Sequence, residues 1–157
     1  MLEWGSYRTA LYLSALIVAV NASAFLYSRW YLPRLEDGTA LHAIAALAIL
    51  VGLWLFSRIA RYAGAVFYLL SAGAAALALW GFAGPLHFGA VWAVAMAIPC
   101  LAGAAILVFS KPFAREFAAE RERRPAYKKY LLHAFTLVIV VAAVRAALID
   151  VLAFVQR

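Results

Sequence analysis

The sequence is short of charge. Only 13% of its 157 residues are Asp, Glu, Lys or Arg, against about a quarter in an ordinary soluble domain. It has one cysteine, Cys100, so no intrachain disulfide can form. Cys100 lies inside an apolar run with no His, Asp or Glu beside it to make a metal ligand or a nucleophile, and it reads as a small core residue. There is no HExxH, no CxxC and no Gly-rich phosphate loop. No Ser/His or Asp/Asp pair has the spacing of an intramembrane protease. Of the three histidines, His42 and His87 fall near the same membrane face, but His87 is in a loop, which disfavours a haem held by two axial ligands. The reading is of a protein without a cofactor or a metal, and more a binder or carrier than an enzyme.

What the sequence has in plenty is apolar side chain. Hydrophobic residues make up 68% of it, and the mean hydropathy is +0.92. A soluble globule of this length has too much surface for its volume to hide such a load. The chain is therefore expected to be an all-α integral membrane protein forming one membrane domain over 1–157.

The gaps between charges give the threading. Residues 9–28 and 38–57 are uncharged runs of 20 residues each, matching the roughly 20 a helix needs to cross about 30 Å of hydrocarbon. Residues 62–110 form an uncharged run of 49. As one helix it would reach about 74 Å at about 1.5 Å per residue, so it must fold back, with Gly81, Gly84, Pro85 and Gly89 as breakers. This yields spans at 62–82 and 89–110. A last run near 131–155 is apolar apart from His133, Arg145 and Asp150. The expected fold is a bundle of five transmembrane helices. A four-span alternative arises at Asn21-Ala22-Ser23-Ala24, which resembles a signal-peptidase site; the apolar run continuing through Phe25, Leu26 and Tyr27 argues for a retained span.

Orientation follows from the basic residues. Of 14 Lys and Arg, ten fall on one side of this threading: Arg8, Arg58, Arg61 and the seven between Lys111 and Lys129. The positive-inside rule then places the N-terminus in the cytoplasm and the C-terminus outside, in a bacterial inner (cytoplasmic) membrane. Trp4 and Trp54 fall at the inner face, and Trp30, Trp80 and Trp92 near the outer one, as amphipathic rings prefer. In a soluble protein a net charge of +7 would point to nucleic acid; here it reads as a topology signal.

The segment 111–130 is the one long connection. Ser110 is a candidate cap, Pro112 suits a first turn, Phe113 and Phe117 share a face, and Glu120 and Arg124 stand four apart. It is expected to be a short amphipathic helix on the inner surface, ended by Pro125. Lys111, Arg115, Arg121, Arg123, Arg124, Lys128 and Lys129 would contact anionic head groups or a partner protein.

Polar groups at membrane depth are costly and so point to function. Asn21, His42, Arg145 and Asp150 are the candidates for an outward-facing polar pocket, with Arg145 as the group that receives an anionic head group or solute. The plainer reading is that Arg145 and Asp150 reach the outer interface and stabilise the bundle there. Small residues at four-residue spacing, Ala15, Ala19 and Ser23 in span one and Gly89, Ala93 and Ala97 in span four, predict close helix contacts within the bundle or between copies. Pro99 frees a carbonyl in mid-span four and predicts a kink. Two functions compete on these grounds. One is a non-enzymatic protein that transports or binds a small or lipid-like molecule, as an oligomer. The other is an accessory, assembly or immunity-type subunit that binds another membrane protein. A lipid-modifying enzyme comes third.

Overall fold

The first helix begins where a serine can satisfy it. The Ser6 hydroxyl accepts from the Thr9 backbone N–H at 3.3 Å, taking up one of the donors that the first turn leaves unpaired. From there α1 runs Tyr7–Tyr31. In this computed structural model the residues described are 5–31, 36–81, 88–123, and Tyr130, His133, Ala134, Leu137, Val138 and Val141. Four more helices follow: α2 (Glu36–Trp54), α3 (Arg58–Gly81), α4 (Phe88–Phe109) and α5 (Lys111–Glu122). The described residues of 130–141 are also helical, and there is no strand among the described residues.

Among the described residues, three helices are long and apolar enough to cross a membrane, through Tyr7–Tyr27, Arg58–Leu77 and Ala90–Phe109. The apolar part of α2, Thr39–Trp54, is shorter. The fifth expected span lies largely outside the described residues. Large apolar side chains cover the outside of the bundle, among them Leu16, Leu26, Val66, Leu69, Ile98 and Leu101. Water would oppose that surface; lipid tails do not.

The turn between α2 and α3 is tight. The Ser57 N–H bonds the Gly52 carbonyl at 2.8 Å and the Phe56 N–H bonds that of Leu53 at 2.9 Å. This paired arrangement closes a helix C-terminus and puts one residue in the left-handed region, a place usually taken by glycine. Here it is Phe56, with φ 59°. Ser57 then caps α3 by accepting from the Ala60 N–H at 3.3 Å. Arg58 and Arg61, which the expected spans 38–57 and 62–82 leave between them, therefore stand in the first turn of α3.

The four long helices run alternately up and down. Tyr7 at the start of α1 bonds Leu53 at the end of α2. Arg61 at the start of α3 bonds Leu107 at the end of α4. These residues define one end of the bundle. Neighbours α1 and α2 lie together, as do α3 and α4, and α1 also meets α4. Two glycines allow close approach. A Cβ on Gly64 would lie 2.7 Å from Ile49 Cγ2, and one on Gly103 would lie 3.1 Å from the Tyr68 ring. The core between the helices holds Ile17, Leu53, Tyr68, Met96 and Leu107.

Pro99 sits inside α4 and is buried. Its missing N–H removes one bond to the turn before, yet the helix continues to Phe109.

Candidate functional site

The interior carries few polar side chains: Tyr68, Ser14 and Asn21 find partners within the chain, whereas the buried Trp92 Nε1 and His133 Nδ1 have none among the described residues. Tyr68, on α3, is wholly buried, and its hydroxyl donates to Ser14 Oγ on α1 at 2.8 Å. Ser14 Oγ in turn donates to the Ala10 carbonyl at 2.8 Å. About two turns further along α1, Asn21 is 2% exposed. Its Nδ2 donates to the Ile17 carbonyl at 2.8 Å and lies 3.6 Å from Met96 Sδ on α4. Such internal pairing is how a polar group is accommodated where no water reaches it. Cys100 is fully buried.

The second polar feature is the bundle end formed by the start of α1, the α2–α3 turn, the close of α4 and all of α5. Here α5 turns its apolar face to the bundle. Phe113 and Phe117 are 0% and 2% exposed and face the bundle. The Tyr7 ring stacks on Phe56 with centroids 4.8 Å apart and approaches Phe113 at 6.2 Å. Phe56 and Phe117 are 5.6 Å apart, and Phe113 and Phe117 5.2 Å. Aromatic rings gain by such offset contacts beyond the area they bury. The cluster also accounts for the unusual backbone at Phe56: the ring is held from two sides, which offsets the cost of its positive φ.

Polar bonds complete the docking. Ser110 caps α5, accepting from the Phe113 N–H at 3.2 Å, with Pro112 in the first turn. Its hydroxyl also donates to the Gly5 carbonyl. The Tyr7 N–H, in the first turn of α1, bonds Glu116 Oε2 at 2.8 Å. Arg61 Nε donates to the Leu107 carbonyl at 2.7 Å, and its guanidinium lies 5.2 Å from the Phe113 ring centroid and 5.6 Å from that of Tyr62.

The residues singled out in the sequence fall in different places. Asn21 is an interior group bonded within the chain, while half-buried His42 lies 5.8 Å from the Phe67 ring. Arg145 and Asp150 lie outside the described residues, as do Arg124, Lys128, Lys129 and Pro125. Of the basic residues of α5, Lys111, Arg115 and Arg123 are exposed and Arg121 is half-buried. Glu120 pairs with Arg123 at 2.9 Å, three residues away and not four. Ala15, Ala19 and Ser23 all point outward, so this stripe makes no contact inside the bundle. Ala93 is fully buried and Ala97 half-buried against the core, and Gly89 lies in the first turn of α4.

Sequence reasoning missed Tyr7, Phe56 and Tyr68, and took Arg61 only as a charge. The Ser57 cap was legible as a serine between two apolar runs. The ring cluster was not, because its members come from three separate segments. Among the described residues no group of three His, Cys, Asp or Glu is placed to hold a metal ion. No protein family matches this sequence, and no curated protein or solved structure shows significant similarity to it.

Proposed function

We propose that this chain is a non-enzymatic membrane protein that binds a lipid-like molecule on its outer surface and conducts no solute through its interior. The observation that carries this reading is the pairing of Tyr68, Ser14 and Asn21, the polar side chains between α1, α3 and α4. Tyr68, Ser14 and Asn21 bond to one another's helices and to backbone, so they offer no line of unpaired groups for a passing solute to replace its hydration on. Contacts with a ligand then fall to the outside.

The proposed threading has five crossings, N-terminus in the cytoplasm, C-terminus outside, in a bacterial inner membrane. The short apolar part of α2 is supported as a crossing by the alternation of the helices. The starts of α1 and α3 lie at one end of the bundle, so α2 must return the chain along the whole length of α1. That end carries Arg8, Arg58, Arg61, Lys111, Arg115, Arg121 and Arg123, the bias expected of a cytoplasmic face. A topology reporter fused after Arg157 should read periplasmic; a cytoplasmic reading overturns the five crossings.

The functional test is a pair of measurements on the purified full chain. Native mass spectrometry should find phospholipid retained through delipidating detergent washes, and liposomes containing the protein should leak solute no faster than empty ones. Solute flux that changes with Asn21→Ala would overturn the binding reading.

One observation favours the second reading, an assembly or accessory subunit. Ala15, Ala19 and Ser23 form an outward row on α1, and small residues let a second helix approach closely in lipid. Ala19→Cys should crosslink copy to copy if the chain self-assembles. A stoichiometric foreign membrane protein retained in mild detergent, with no such crosslink, would favour the accessory role.

A further inference from the structure

We infer that Arg61 is the centre of a phosphate-binding site that holds the phosphodiester headgroup of an anionic lipid at the basic end of the bundle. The inference rests on the lipid-binding reading above and locates it. A guanidinium has five N–H donors in a fixed plane. In Arg61 one of them, Nε–H, is spent on the Leu107 carbonyl, closing the C-terminus of α4. The rings of Phe113 and Tyr62 fix the plane of the group. The four remaining donors, on the two Nη atoms, have no partner among the described residues, and no described carboxylate pairs with this half-buried cation. A half-buried charge without a counter-charge is costly. An oxyanion supplies what is missing, and an arginine already oriented by ring and carbonyl loses little freedom in binding one.

The surroundings favour a lipid as the source of that oxyanion. Arg58 stands three residues earlier on the same helix, exposed and unpaired among the described residues, so it can face the same anion. Lys111, also exposed, begins α5 at the junction that follows Leu107. Tyr62, 62% exposed, lies beside the guanidinium, and Phe109, 80% exposed, stands two residues after Leu107; they are the amphipathic and apolar rings found where headgroups meet tails. Charge-assisted bonds from the guanidinium would hold the phosphate, and the acyl chains would run along the exposed apolar face of α3 and α4.

The test titrates delipidated full-length protein with phosphatidylglycerol and with phosphatidylcholine, read by native mass spectrometry, with inorganic phosphate as a third probe. The wild type should bind phosphatidylglycerol about tenfold or more tightly than phosphatidylcholine. Arg61→Ala should abolish that preference. Arg61→Lys should restore part of it, because the charge returns without the planar fork. If Arg61→Ala does not fold, the double variant Arg58→Gln/Lys111→Gln, altering two exposed side chains, should still cut the preference severalfold. A folded Arg61→Ala, or failing that the double variant, that keeps the wild-type preference would overturn the site while leaving lipid binding elsewhere intact. Absence of any retained phospholipid in the wild type would overturn both. Inorganic phosphate that displaces the lipid at comparable concentration would assign the site to a free anion and refute the lipid inference.

Discussion

Replacing Phe113 with alanine should release α5 from the bundle. Phe113 is completely buried, with Phe117 at 5.2 Å, Tyr7 at 6.2 Å and the Arg61 guanidinium at 5.2 Å. Removing a buried phenyl ring costs about 3–5 kcal/mol when the neighbours cannot collapse into the space. By comparison, the Glu120–Arg123 pair on the far side of α5 is exposed, and such pairs contribute about 0.3–0.5 kcal/mol. The rings, then, hold the helix in place, and the charges add little. A loss of about 3 kcal/mol multiplies the opened population by more than about a hundredfold, at about 1.4 kcal/mol per factor of ten. Trypsin reads that population directly when opening is fast relative to cutting. Its sites at Arg115, Arg121 and Arg123 lie on or next to α5. Cleavage there should accelerate on the order of a hundredfold in Phe113→Ala, while Phe109→Ala, which alters an 80% exposed ring, should leave it unchanged. Equal cleavage of Phe113→Ala and wild type would refute the docking and return α5 to the surface of the bilayer.

Three further outcomes follow from the same geometry. Phe56→Gly relieves a positive φ, worth about 1 kcal/mol or somewhat more, but gives up a buried ring worth about 3 kcal/mol or more; its thermal midpoint in detergent should fall, and a rise would show that the ring contacts contribute little. The Tyr68→Phe and Ser14→Ala double-mutant cycle should give a coupling of about 0.6 kcal/mol and no more than about 1.7 kcal/mol, the range for hydrogen bonds between membrane helices, measured by reversible unfolding in mixed micelles. Gly64→Ala must displace Ile49 and should destabilise the bundle, whereas Gly73→Ala, with nothing within 4 Å of the new Cβ, should be neutral or gain up to about 1 kcal/mol of helix propensity; the same measurement ranks the two.

Much of the fold was legible because lipid imposes a simple rule on sequence. The expected spans 9–28 and 89–110 match α1 and α4 within a few residues at each end, since a charge inside hydrocarbon is too costly to appear by accident. The cap and length of α5 were legible for a similar reason: Ser110, Pro112 and the Phe113/Phe117 spacing are local signals. The packing faces were less so. The spacing of Ala15, Ala19 and Ser23 pointed to close contacts within the bundle or between copies without choosing between them; Ala10, Ser14, Ile17 and Asn21 face inward and the small residues face out. In an apolar helix the usual contrast between a wet polar face and a dry apolar one is missing, so spacing alone cannot say which side meets protein and which meets lipid. The candidates in the last run, Arg145 and Asp150, lie outside the described residues.

The shortage of charge, by itself, determined that the helices are apolar, about where three of them begin and end, and that the basic residues collect at one end. These depend on single residues or short runs interacting with solvent or lipid, so the linear order suffices. Only the tertiary structure decided that Tyr7, Phe56, Phe113 and Phe117 meet, that Tyr68 bonds Ser14, and that Arg61 is fixed between two rings and a helix-end carbonyl. Apart from Phe113 with Phe117 and Arg61 with Tyr62, each of those contacts joins residues 46 or more positions apart. Their partners are chosen by how the helices pack and turn, and a count of charges carries no record of that choice.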